Sequence, residues 1–382
     1  VIYLDNGATT WPKPPQVIQA VNDALTKYGA NPGRGAYEMA LAAARQVFAV
    51  RQKVADFFDC DHMERVIFTG NTTDGINIAL KGILRQGDHV LYSPVEHNAL
   101  WRPLSTMVQR GLVEAEMVPA TVDGNVDLEK LESMIRPNTR LIASVHASNV
   151  TGMIVPISQV GEIARRHHLL FLLDAAQSAG LLPVSVREMN IDFLAAPGHK
   201  CLYGPMGSGF LYVGERAAEE MLSSREGGTG SESHNRYQPQ SYPDRLESGT
   251  LNLPGVLGLG AGIDYIMEHG RENIEKKVDA LTQRFLAGVA SISGLTAYGP
   301  PPGVKRSPVV TVNFADMDPG EVAMLLDAEY GIAVRAGFHC SPLAHNLMGT
   351  GDNGGVRFSF SSFNTTEEVD MALEALAHIS QE

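Results

Sequence analysis

Short apolar runs alternate with amphipathic stretches along the chain. "PQVIQAVNDALTKYG" has helical spacing and stops at a glycine, and "ALAAARQVFAVRQKVADFF" predicts a longer amphipathic helix. "RVIFTG" predicts a strand, "NTTDG" a turn and "INIALKGIL" a helix. "HVLYSPVEHNA" predicts a strand leaving on a polar loop, and "TRLIASVHASNVTG" repeats that design. "ISQVGEIARRHH" predicts a helix, "LLFLLDAAQSAG" a strand ending at Asp174, and "IDFLAAPGHK" one more short strand and turn before the strand "FLYV".

Strands alternating with helices in this way predict an α/β fold with a mostly parallel sheet sandwiched by helices. Ligands of such sheets gather beyond the carboxyl ends of the strands. The polar residues cluster there: Thr72 and Thr73, His97, Asn149, Asp174 and Gln177, then His199 and Lys200 each follow an apolar run. From about 223 to 255 the periodicity lapses, and irregular stretches of that length are more often functional or interface loop than filler. Beyond about 293 the pattern resembles a smaller α+β unit. The expected division is an N-terminal segment 1–15 associated with the active site or small domain, a large domain 16–265 and a small C-terminal domain 266–382.

The length of 382 residues suits two domains. A net charge of -13 argues against nucleic acid or an anionic membrane as main partner, although a local basic pocket could bind a small anion. No run of 18 apolar residues suggests a membrane span, and the opening "VIYLDNGATT" lacks the features of a secretory signal. Cys60, Cys201 and Cys340 are an odd count without close repeat, which fits a reducing compartment; the expected location is the cytoplasm.

Lys200 lies in the small-residue turn "PGHKCLYGPMGSG" between two apolar runs. A lone lysine is ordinarily solvated. Desolvated, it becomes an imine-forming amine. Asp174, at an earlier strand end, supplies the carboxylate that keeps a pyridine nitrogen protonated, so the two are the groups a pyridoxal phosphate site requires. "GNTTDG", between strand and helix, offers backbone N–H groups and the Thr72 and Thr73 hydroxyls to a phosphate. "GPMGSG" is followed by a strand pattern rather than a helix, which excludes a dinucleotide fingerprint.

Taken together, "TTDGIN", "EHNA", "SNVTG", "DAAQ", "GHK", "ESGTLN", "RAGFHC" and "VRFSFSSFNT" resemble, in order and over nearly the whole chain, the class V aminotransferase group of fold-type I pyridoxal phosphate enzymes, in its cysteine desulfurase and selenocysteine lyase branch. The resemblance implies that Lys200 holds the cofactor and moves the Cα proton, that Asp174 pairs with the pyridine nitrogen, and that Gln177 faces the phenolic oxygen. It implies that His97 stacks on the ring and assists proton transfer, and that Thr72, Thr73 and His199 bind the phosphate. Thr250 would reach the partner subunit's cofactor, which implies a homodimer. Asn149 and Arg357 would hold the carboxylate of the substrate, L-cysteine, with L-selenocysteine as a further candidate. Cys340 would attack the substrate sulfur, carry a persulfide, release alanine and pass the sulfur to an acceptor protein. Its neighbours Arg335 and His339 form the cationic setting in which thiolates are favoured.

Three departures bear on substrate and acceptor. Pro197 stands where the family commonly has a serine before "GHK", Phe338 replaces a histidine in "RAGFHC", and Tyr37 replaces one in "RGAY". His339, Cys340 and His345 lack paired-ligand spacing, so no metal is expected. Cys60 and Cys201 are expected to be structural. The placement of Cys340, with only a short connection after the "VR" strand of "VRAGFHC", resembles the branch that needs a sulfur-accepting partner for rapid turnover. Two other readings stay open: another pyridoxal phosphate reaction on this scaffold (cystine C–S lyase, epimerase or aminotransferase), and a catalytically reduced sulfur-carrier or scaffold protein.

Overall fold

The computed structural model describes residues 1–33 and 35–381. The chain opens with β1 (Ile2–Tyr3), α1 (Pro15–Thr26) and α2 (Glu38–Phe57). An alternating series follows: β2 (Val66–Thr69), α3 (Thr72–Ile83), β3 (Asp88–Tyr92), α4 (Asn98–Gln109), β4 (Val113–Met117), α5 (Leu128–Ser133), β5 (Thr139–Val145), α6 (Ile157–Arg166), β6 (Leu170–Asp174), β7 (Phe193–Pro197), β8 (Gly209–Val213) and α7 (Glu215–Ala218). After the irregular segment come α8 (Leu253–His269), α9 (Arg271–Val289), β9 (Leu295–Tyr298), β10 (Val309–Phe314), α10 (Pro319–Tyr330), β11 (Ile332–Ala333), β12 (Arg335–Gly337), α11 (Pro342–Met348), β13 (Gly355–Ser359) and α12 (Thr366–Ile379).

The large sheet has seven strands in the order β2-β8-β7-β6-β5-β3-β4, and only β8 runs against its neighbours. Its strands are nearly uninterrupted apolar runs because both faces are covered. The period of two divides them between two cores. Ile67, Val90, Leu141, Leu172 and Leu211 pack with α3 and α4, through Ile76 and Leu100. Phe68, Leu91, Ile142, Phe171 and Phe210 pack with α2, α6 and α8, through Val54, Ile163 and Ile263. A four-stranded antiparallel sheet, β12-β13-β10-β9, forms the C-terminal unit. The parallel pairing of β1 with β11 joins the chain's start to that unit. Residue 265 lies inside α8, which packs on α1 and α2 and ends at Gly270, where φ is 78°. Glu382, the last residue of the expected small domain, lies outside the described residues.

One expected element changes. "NTTDG" is mostly the first turn of α3 rather than a separate turn, because Asn71 caps the helix by accepting from the Asp74 amide at 2.9 Å. The irregular stretch holds no helix or strand until α8 begins at Leu253. It is pinned by Glu247, which takes a two-pronged ion pair from Arg51 of α2 at 2.7 and 2.9 Å and accepts from the Phe68 amide at 2.6 Å. Both side chains are buried, and the Arg51 guanidinium lies 4.6 Å from the centre of the Phe68 ring.

Candidate active site

The carboxyl ends of five strands converge on a cavity of about 220 Å3. Asn71, Thr72 and Thr73 arrive after β2, His97 after β3, Asn149 after β5, Asp174 and Gln177 at the end of β6, and Pro197, His199 and Lys200 at and after β7. Gly198 lets the β7 turn close: a Cβ there would lie 2.2 Å from Ser208 Oγ. The segment after β1 straps this turn in place. Thr10 donates through its amide to the His199 carbonyl and through Oγ1 to the Lys200 carbonyl, and Lys13 Nζ donates to the His199 carbonyl at 2.7 Å. Gln177 Nε2 donates to the Gly7 carbonyl at 2.9 Å, which sets the direction of its amide.

The electrostatics distinguish these groups by environment. Desolvation lowers the Lys200 amine to about 8, with Asp174 opposing the shift. Burial raises the Asp174 carboxyl to about 6, tempered by a 2.8 Å hydrogen bond from the Ala176 amide and by Lys200. Burial, reinforced by Lys200 and Arg335, drops His97 to about 3, and burial with Lys200 and Lys13 drops His199 to about 4. Both imidazoles are therefore neutral at physiological pH. His97 Nδ1 accepts from the Ala99 amide at 3.0 Å, so its proton sits on Nε2. Burial raises the Cys201 thiol to about 11 and raises Cys60 as well, which leaves both unsuited to act as nucleophiles.

Cys340 alone among the three cysteines is exposed. It lines a second opening that shares Thr73, His97 and Ala99 with the first cavity. Arg335 Nη2 approaches its sulfur at 3.5 Å. The turn carrying it is left-handed at two consecutive positions, with φ of 51° at His339 and 59° at Cys340. Non-glycine residues hold that conformation only when their surroundings fix it. Here the surroundings do: the Asn98 amide donates to the Cys340 carbonyl at 2.8 Å, Asn149 Nδ2 to the His339 carbonyl at 2.7 Å, and Ser341 Oγ to Asn149 Oδ1 at 2.7 Å. Beneath the turn, His339 and His345 are buried and stacked. Arg357, also buried, pairs with Asp5 through Nη2 at 2.6 Å and donates to the Asn149 carbonyl, while its Nε has no partner among the described residues.

A family model described as Aminotransferase class-V matches residues 2–372. The chain belongs to the class V aminotransferase family. It is 38% identical, over 99% of its length and 94% of the relative, to a probable cysteine desulfurase of Methanothermobacter thermautotrophicus. It is 34% identical, over 99% of its length and 93% of the relative, to a cysteine desulfurase of Escherichia coli. Its fold superposes with a TM-score of 0.94 on the apo cysteine desulfurase of Thermococcus onnurineus, at 34% identity with 100% and 95% of the two chains covered. The Escherichia coli cysteine desulfurase CsdA gives a TM-score of 0.88 at 29% identity, with 98% and 94% covered.

Class V aminotransferases depend on pyridoxal 5'-phosphate, and the residues present fit it. Among the described residues Thr72 Oγ1 and His199 Nδ1 are buried without a partner, and both residues line the cavity, two polar atoms placed to engage an anion. The amides of Thr72 and Thr73 open α3, where no intrahelical acceptor reaches them. Asp174 and Lys200 line the same cavity, a carboxylate and an amine of the kinds such a group needs.

Thr250 stands apart from this class V cavity. It is exposed, accepts from Asn31 Nδ2 at 3.3 Å and lines a different pocket with Thr69 and Asp74. Phe338 sets its ring edge-on to His345, 5.7 Å between centres, and Tyr37 is exposed; Arg34, at the head of "RGAY", lies outside the described residues. Among the described residues no group of three or more His, Cys, Asp or Glu could hold a metal ion, and no helix is long and apolar enough to cross a membrane. Thr10, Lys13 and the clamp of Asn149 with Ser341 escaped the sequence reading. The opening "VIYLDNGATT" contains Thr10 and stops short of Lys13, and no motif assigns either residue a role.

Proposed function

We propose that this protein is a pyridoxal phosphate-dependent cysteine desulfurase, which converts L-cysteine to L-alanine, holds the sulfur as a persulfide on Cys340 and hands it to an acceptor protein. One observation carries this reading. The exposed thiol of Cys340, beside Arg335, lines an opening that shares His97 and Thr73 with the cavity of Lys200 and Asp174. Amino-group transfer has no use for a thiol at that position.

Thr72, Thr73 and His199 would hold the phosphate, Asp174 the ring nitrogen, Gln177 the phenolic oxygen and Lys200 the aldehyde carbon, with His97 facing the ring. When bound, the group withdraws electrons from the substrate's Cα. Asp174, raised only to about 6, is ionised at neutral pH and would keep a proton on the ring nitrogen it faces. Lys200, lowered to about 8, is a competent base for the Cα proton near neutrality. Arg357 pairs with the substrate carboxylate while Asp5 balances part of its charge. Asn149 contributes the second proton of its Nδ2, the first being held by the His339 carbonyl. Cys340 forms an S–S bond to the substrate sulfur as the C–S bond breaks. The electron pair stays on carbon, which is protonated and leaves as alanine.

The same reading takes L-selenocysteine as a second substrate, a homodimer in which Thr250 reaches the neighbouring site, and a cytoplasmic location. It divides the chain into the segment 1–15, a large domain and a small domain, with the joint moved from 265 to the break at Gly270. The experiment is incubation with L-cysteine and assay of alanine, sulfide or persulfide, and pyruvate, in wild type, Cys340→Ala and Lys200→Ala. Alanine lost in both variants supports desulfuration. Pyruvate persisting in Cys340→Ala supports a C–S lyase instead. No product from wild type supplied with an acceptor supports a carrier or scaffold.

A further inference from the structure

The opening beyond Cys340 is a groove of about 700 Å3, some three times the cavity that holds Lys200. Two helices wall it at one-turn spacing. Thr73, Asn77 and Lys81 face it from α3, and Asn98, Arg102, Thr106 and Arg110 from α4 and its C-cap. The α4 stripe spans about 18 Å at the helical rise, the reach of roughly five extended residues. Among the described residues no carboxylate lines the groove. Lys81, Arg102 and Arg110 are exposed and form no ion pair among the described residues, in a chain whose net charge is -13. Local charge of one sign against the balance of the whole chain marks a surface that steers a partner of the opposite sign.

We propose that this groove seats an acidic, extended segment of the sulfur-accepting protein, with the acceptor's cysteine at the Cys340 end. The inference rests on the desulfurase reading and adds where and by what chemistry the acceptor docks. A second copy of this chain fits less well, because an occupant that never leaves would block the discharge of Cys340. The acceptor's thiolate attacks the outer sulfur of the Cys340 persulfide. A new S–S bond forms to that sulfur, the S–S bond to Cys340 breaks, and its electron pair returns Cys340 to a thiolate. Nothing is oxidised or reduced overall, and no co-reactant is needed.

The test uses holoenzyme charged with one equivalent of L-cysteine and a short peptide carrying one cysteine among aspartates and glutamates, against its lysine counterpart. The acidic peptide should discharge Cys340 about tenfold faster at low salt, an advantage that fades as ionic strength rises. Lys81→Glu with Arg110→Glu should abolish the advantage and leave single-turnover alanine formation unchanged; the single variants serve if the double one is poorly folded. Equal discharge by both peptides, or an advantage that survives charge reversal, would overturn the proposal. So would dissociation of the enzyme into smaller species on charge reversal, which would make the groove an interface between copies. Absence of alanine from the charged wild type would bring down the desulfurase reading itself.

Discussion

His345 donates through Nε2 to Nδ1 of His339 across 3.1 Å, and both rings are buried under the Cys340 turn. The tautomers follow from the ends of the chain. His339 Nε2 reaches the Arg335 carbonyl at 3.0 Å and must donate, so its Nδ1 accepts. His345 Nδ1 then accepts from Thr350 Oγ1 at 2.8 Å. Burial pushes the two imidazoles down to about 3 and about 4, so both are neutral and the chain of hydrogen bonds is complete. Thr350→Val removes its terminal donor at a cost of about 1–3 kcal/mol. The expected outcome is a several-fold lower kcat with KM for L-cysteine little changed, slower alkylation of Cys340, and recovery of both in Thr350→Ser.

The same pair sets an acid limit. A folded-state pKa below the ordinary 6.5 means that the unfolded chain takes up protons first as pH falls. The pair's contribution to stability is therefore complete above about pH 6.5 and is lost as pH falls through 4 toward 3. Between pH 6.5 and 4 the melting temperature of wild type should fall further than that of His345→Gln; equal falls would contradict the buried, neutral pair.

Lys200 predicts the pH dependence of cofactor capture. Only the neutral amine attacks an aldehyde, and desolvation brings its pKa to about 8, against an ordinary value of 10.5. Reconstitution of the apoprotein, followed by the growth of visible absorbance, should accelerate from pH 7 to 9 and then level off. A rate still climbing steeply between pH 9 and 10.5 would mean an ordinary, solvated lysine.

Arg357 and Asp5 tie the start of the chain to β13. The guanidinium is buried and its carboxylate partner lies 2.6 Å away, so Asp5→Ala leaves an unbalanced buried cation at a cost of about 3–5 kcal/mol. A lowered melting temperature is expected there. Arg357→Lys, which keeps the charge and loses the fork, should raise KM for L-cysteine at least about tenfold with cofactor absorbance intact.

How much of this was legible depends on the range of each interaction. Lys200, Asp174, His199 and Thr72 could be read because each closes an apolar strand, and a parallel sheet brings such ends together. The sequence pattern starts α3 at Ile76, about one turn later than its true start at Thr72, since a Thr-Thr-Asp-Gly run favours turn and helix start alike. The clamp of Asn149 on Ser341 spans 192 residues of sequence, and the groove wall pairs Lys81 with Arg102 and Arg110 across two helices. Helical spacing locates such residues on a face; only tertiary packing decides which faces meet. β1 has two residues and its partner β11 lies at the far end of the chain, so no periodicity announces it.

Thr250 makes a prediction about assembly. It is exposed and away from the cavity of its own chain. If it completes the neighbouring site, Thr250→Ala weakens cofactor binding, and hybrids of Thr250→Ala with Lys200→Ala subunits regain one wild-type site. Activity of the mixture above that of either parent is the expected result, measured after co-expression; hybrids no better than the parents would place Thr250 outside the site.

The central claim is that sulfur passes through Cys340. Holoenzyme mixed with one equivalent of L-cysteine, without acceptor, should yield one equivalent of alanine and a Cys340 peptide one sulfur atom heavier by mass spectrometry, with Cys60 and Cys201 unchanged. Alanine formed in full while the Cys340 peptide keeps its original mass would contradict the account.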